Sequence, residues 1–124
     1  MKQTESEIII QQLNQPLLGK GFTFSYTYQK GGDSSCVYIY RFQKGADYFD
    51  WRETSGAFEI HFVAFVKGEY RFPNPRKIWK KDWWLFRLKH LFSPASVDEQ
   101  RKLFASFIQK ELDKNNGEFF GISL

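Results

Sequence analysis

Asp47, Asp50, Arg52 and Glu53, interleaved with Tyr48, Phe49 and Trp51, form the densest polar cluster in the chain. Carboxylates at this density can hold Mg²⁺ or serve as acid and base. Their spacing favours a plainer outcome. On a strand, Asp50 and Arg52 share one face while Glu53 takes the other, so a simple ion pair is expected. Glu59 and His61 also share a strand face. With Asp50 or Arg52 on a neighbouring strand they would supply the acid–base constellation of a metal-dependent hydrolase or nuclease. Such nucleases ordinarily place an acidic residue ahead of an acidic-x-basic triplet, and Asp50 followed by Glu59-Ile60-His61 echoes that with His in the place of Lys. A histidine among Phe residues is more often a hydrogen-bonded structural residue. Asp50, Glu59 and His61 are therefore the catalytic candidates of a chain that leans away from being an enzyme. Ser34, Ser35 and Cys36 lie beside a turn with no Gly-x-Ser-x-Gly elbow, and Gly31-Gly32 lacks the phosphate-cradling signature.

Binding is better represented than catalysis. Arg76-Lys77-Ile78-Trp79-Lys80-Lys81-Asp82-Trp83-Trp84, followed by Arg87, Lys89 and His90, interleaves cations with indole rings. Lys77, Lys80, Lys81, Arg87 and Lys89 could contact phosphates while Trp79 and Trp83 stack on bases. The same pattern builds an amphipathic helix that buries Trp and lets Lys snorkel, the commoner outcome, and such a helix also suits an acidic protein or a lipid headgroup surface. A second binding surface is expected on the sheet. Tyr26, Tyr38, Tyr40, Tyr48, Trp51, Arg41 and Arg52 are of the residue types that dominate protein interfaces, provided that their face is exposed.

Composition bounds these readings. The 124 residues fit one domain, 1–124, with a core that needs no disulfides. Aromatic residues make up 19% of the chain, more rings than one small core easily hides, so some are expected at an interface or cleft. The net charge of +4 permits polyanion binding without the dense basic stripe of a dedicated nucleic-acid binder. One Cys excludes an intramolecular disulfide and two His make a His-based metal site a poor prospect, so no metal or cofactor is expected. The lone Cys36, an N-terminus unlike a signal peptide and the lack of a membrane-length apolar run point to the cytoplasm.

The elements that must position these residues follow from periodicity. Thr4-Glu5-Ser6-Glu7 resembles a capping box opening a helix to Asn14, which Pro16 and Gly19 end. Alternation predicts strands over Phe22–Tyr28, Val37–Phe42, Tyr48–Glu53 and Ala57–Val66, with a short Tyr70–Phe72 strand stopped by Pro73 and Pro75. The turn signals between them are Lys30-Gly31-Gly32-Asp33-Ser34, Gln43-Lys44-Gly45, Thr54-Ser55-Gly56 and Lys67-Gly68-Glu69. The 76–92 stretch carries two helical stripes, Trp79/Trp83/Phe86 and Trp84/Leu88/Leu91, but also alternates as a strand would; its length favours helix. Ser96-Val97-Asp98-Glu99 caps a closing helix that runs to Asn115, and the apolar Phe119-Phe120-Gly121-Ile122 tail packs back or adds an edge strand.

The expected fold is α+β: an antiparallel sheet of about four to five strands, flanked by N-terminal and C-terminal helices packed on one face. The order of opening helix, Gly-Phe turn, Arg41-Phe42-Gln43-Lys44, Asp82-Trp83-Trp84 and closing helix resembles small uncharacterised bacterial domains of unknown function. That resemblance implies no catalytic residues, and some similar small chains act as immunity or antitoxin partners. The function expected is a non-enzymatic interaction module that binds a protein partner or self-associates, with nucleic-acid binding through 76–90 as the alternative and a hydrolase or nuclease as the third.

Overall fold

Two-residue periodicity is expressed as a five-stranded antiparallel meander, in the spatial order β1 to β5. A computed structural model describes residues 5–30 and 36–124. Thr4 of the N-terminal capping box, the Gly31-Gly32-Asp33-Ser34 turn and Ser35 lie outside the described residues. The strands are β1 (Thr23–Lys30), β2 (Cys36–Lys44), β3 (Asp47–Thr54), β4 (Glu59–Val66) and β5 (Glu69–Arg71). The β4–β5 connection needs positive φ at both central positions, and Lys67 and Gly68 supply it at 51° and 82°.

Cross-strand register sorts the sheet into two chemically distinct faces. Phe24, Phe42, Phe49 and Ala64 form one row, and Tyr26, Tyr40, Trp51 and Phe62 the next. Helices α1 (Glu5–Leu13), α2 (Gln15–Gly19) and α5 (Val97–Asp113) bury Ile10, Leu17, Phe104, Phe107 and Ile108 in one cluster with those rows. The opposite face carries Ser25, Arg41, Asp50 and Val63 in one row and Thr27, Ile39, Arg52 and His61 in another, outside that cluster. The α+β arrangement expected from sequence is the one observed.

Local chemistry accounts for the helix boundaries. The α5 capping box is complete: Ser96 Oγ accepts from the Glu99 N–H at 3.1 Å and Glu99 Oε1 accepts from the Ser96 N–H at 3.3 Å. Pro16 starts a helix rather than ending one. It sits in the first turn of α2, where a missing N–H costs nothing. The 76–92 segment is helical, as its length favoured, but divides into α3 (Pro75–Ile78) and α4 (Lys80–Lys89) at Trp79, whose ψ of 57° interrupts the helix. The tail pairs with itself instead of extending the sheet: β6 (Glu118–Phe119) and β7 (Ile122–Ser123) form a hairpin that inserts Phe119 and Ile122 into the core.

One ion pair crosses the core between sheet and helix. Glu53, two residues beyond Trp51 on the same face of β3, is buried and accepts from Trp51 Nε1 at 3.0 Å. Arg101 of α5 grips it bidentately, at 2.9 Å and 2.7 Å. Arg101→Met leaves that carboxylate buried without its cation, so we expect a loss of about 3–5 kcal/mol in urea unfolding. Replacing Glu53 and Arg101 together by Leu should recover part of the loss; a double variant as unstable as the single would refute this account.

Candidate functional site

Alternation carries Asp50, Glu59 and His61 to the same uncovered face of the sheet, on β3 and β4. Their chemistry is already committed. Asp50 is fully buried, its Oδ1 accepting from Arg41 Nε at 2.8 Å and its Oδ2 from Arg41 Nη2 and Arg52 Nη2, both at 3.0 Å. The hydrogen bond to Asp50 holds the Arg41 guanidinium above its ordinary pKa, and the same group lies 3.7 Å over the Tyr48 ring. Asp50 is therefore fastened between two cations, both of its oxygens accepting guanidinium hydrogen bonds. Glu59 Oε2 meets His61 Nε2 at 3.0 Å at the exposed rim. The groove of about 420 Å³ that reaches His61 is lined by Phe72, Pro73, Asn74, Arg76 and Phe104, and by neither Asp50 nor Glu59. Among the described residues no three His, Cys, Asp or Glu side chains are grouped as metal donors.

The aromatic sheet surface expected from sequence requires correction. Tyr26, Tyr38, Tyr40 and Trp51 lie on one face and Tyr48, Arg41 and Arg52 on the other. Tyr40 and Trp51 are sealed in the core under the helices, because the apolar stripes of α1 and α5 cover that face, so neither ring is available to a partner. Tyr38 is half-buried and tilts 5.2 Å from Tyr28 at the sheet edge. With Ser6, Tyr40, Glu53, Phe58 and Arg101 it lines a cavity of about 220 Å³. Arg101 and Ser6 were not singled out in the sequence. The signal for Arg101 was available: a carboxylate on the core side of β3 requires a cation from the inward stripe of the covering helix.

The exposed rings are divided between the sheet edges, where Tyr28, Tyr70 and Phe72 stand in solvent, and the helical segment after β5, where Trp84 and Phe92 do. Trp79 stacks on Phe107 at 5.4 Å and 7°, and Trp83 packs edge-on to Phe104 at 6.4 Å, with Arg76 4.7 Å above its ring. Lys110 of α5 pairs with Asp82 at 2.7 Å. These contacts use only the inner side of α4, which has no fully buried residue. On its outer side Trp84, Leu85 and Leu88 are 60%, 50% and 45% exposed, and Leu91 and Phe92, just past its end, are 64% and 96% exposed. Lys77, Lys80, Lys81, Arg87 and Lys89 are exposed around them, with no ion-pair partner among the described residues. Of the expected binding residues, five cations and arginines thus meet on one helix-borne surface, while Trp79 and Trp83 serve as its inner anchors. Trp84, Leu85, Leu88, Leu91 and Phe92 join it from outside the expected binding set.

No helix among the described residues is long and apolar enough to cross a membrane.

Burial, followed by the charge of Glu53, raises the Tyr40 phenol well above the ordinary tyrosine range. A pKa raised on folding contributes stability that is complete below the unfolded value, 10.0, and lost as pH rises through the native one. Urea unfolding should therefore show stability falling above pH 10.0, and Tyr40→Phe should flatten that decline; equal slopes for both proteins would contradict it.

No protein-family model, no curated protein and no solved structure matches the chain.

Proposed function

We propose that this protein is a non-enzymatic interaction module that works in the cytoplasm and docks through the outer face of α4. The observation that carries this reading is the run of five large apolar side chains standing in solvent on one short segment, Trp84 to Phe92. Contiguous exposed apolar surface on a small protein marks a docking site more often than an accident of folding. The helix is also poorly explained by its own packing. Ten residues are too few for a stable isolated helix, and α4 is held against the body by Trp79 and Trp83, the Asp82–Lys110 pair and, at its C-terminal end, the His90–Glu99 pair.

Nucleic-acid binding through Lys77, Lys80, Lys81, Arg87 and Lys89 is the second reading, favoured by the exposure of all five. It fits less well. Base stacking uses free rings among the cations; Trp79 and Trp83 are engaged with Phe107 and Phe104, which leaves Trp84 and Phe92. What stands between the cations is chiefly leucine. A hydrolase using Asp50, Glu59 and His61 would first have to release Asp50 from Arg41 and Arg52.

The wild-type protein should bind the apolar dye ANS or bury this face by self-association. Trp84→Ser combined with Leu88→Ser should abolish that behaviour with unchanged far-UV circular dichroism and Tm. A wild-type monomer that binds no ANS, or binding that survives the double variant, would overturn the reading.

A further inference from the structure

We infer that the outer face of α4 seats on an anionic lipid surface, a deeper reading of the docking function that rests on that face being the working surface. Charge surrounds the apolar stripe on both sides. On a helix of about 3.6 residues per turn, Trp84 and Leu88 follow one line, and Lys81, Leu85 and Leu88 the adjacent one; Leu91 and Phe92 follow in the bend just past the helix end. Lys80 and Arg87 then fall along one border of the stripe and Lys89 along the other, while Lys77 and Lys81 lie at its N-terminal end. From 76 to 90 the chain carries six lysines and arginines against one acidic residue, Asp82, whose charge is taken by Lys110. A stripe of Leu, Trp and Phe bordered on both sides by long cationic side chains is the form that lies flat in a lipid interface. The apolar centre enters the acyl boundary and the flanking cations reach back to the phosphates.

The other occupants meet this surface less well. A second copy would set five unpaired cations against five like charges. Nucleic acid would satisfy the cations but leave Leu85, Leu88 and Leu91 with nothing to cover them. Anionic lipid satisfies both components at once. Trp84 adds an indole that prefers the headgroup level, and Phe92, the most exposed large apolar side chain among the described residues, lies just beyond the helix end.

The experiment is vesicle flotation of the full chain with phosphatidylglycerol–phosphatidylcholine vesicles against pure phosphatidylcholine. We expect binding to the anionic vesicles, weakening as salt rises, with a blue-shifted tryptophan emission that Trp84→Phe removes. Each of Lys80→Gln and Arg87→Gln should weaken binding about fivefold. Leu88→Ser with Phe92→Ser should weaken it at least about tenfold. Three results overturn the inference: no flotation with anionic vesicles at low salt, equal binding to pure phosphatidylcholine, or retention on mixed DNA and RNA that the leucine and phenylalanine variants leave unchanged. Failure on vesicles with ANS binding that Trp84 and Leu88 control removes only the lipid assignment; absence of both removes the docking reading as well.

Discussion

The structure depends on α5 presenting phenylalanine in two directions at once. Phe104 packs edge-on against Phe62 of the sheet at 5.5 Å and against Trp83 of α4 at 6.4 Å. Phe107, one turn on, is fully buried and takes the stacked Trp79. A single helix thereby closes the core over one sheet face and anchors the α3–α4 segment. Edge-to-face rings suit this position because each presents a positive rim to one neighbour and a negative face to another. Glu53 and Arg101 add an ion pair with directional demands that fix α5 against β3, which non-directional apolar contact does not do alone.

Covering one face of a sheet leaves polar chemistry on the other to satisfy itself. Asp50 illustrates the outcome. It is as buried as any core residue, yet its burial comes from Arg41 and Arg52 folding over it on a surface that no helix reaches. Both carboxylate oxygens accept guanidinium hydrogen bonds, and the charge that remains is the surplus of one guanidinium. Clustered acidic and basic residues that suggested chemistry in one dimension become mutual neutralisation in three, because antiparallel register sets Arg41 directly across from Asp50.

Segment α4 carries the opposite imbalance. Its two apolar stripes cannot both face α5, since a helix offers one side to a flat neighbour. The stripe with the larger rings goes inward, where stacking on Phe107 and contact with Phe104 reward it, and Trp84, Leu85 and Leu88 are left outward. Apolar surface on the free side contributes nothing to folding of the isolated chain. Its free energy becomes available only when a second surface covers it, which is the physical basis for regarding α4 as the part of the molecule that meets something else.

Much of this was decided by local sequence. Strict alternation from Phe22 to Val66 dictated four strands, each with its side chains sorted into two sets, since successive residues of a strand point to opposite faces, and Ser96 with Glu99 set the start of α5 through two hydrogen bonds made within four residues. Both stripes of the 76–92 segment could be read at helical spacing, as could an aromatic content too large for the interior. What required tertiary structure was every choice between equivalent faces. Tyr40 and Trp51 went inward because α1 and α5 close over their side of the sheet, and Trp84 went outward because Phe104 and Phe107 had room for Trp79 and Trp83 alone. Periodicity states that two faces differ; only the packing of distant elements, forty-eight residues apart in the case of Glu53 and Arg101, determines which of them is covered.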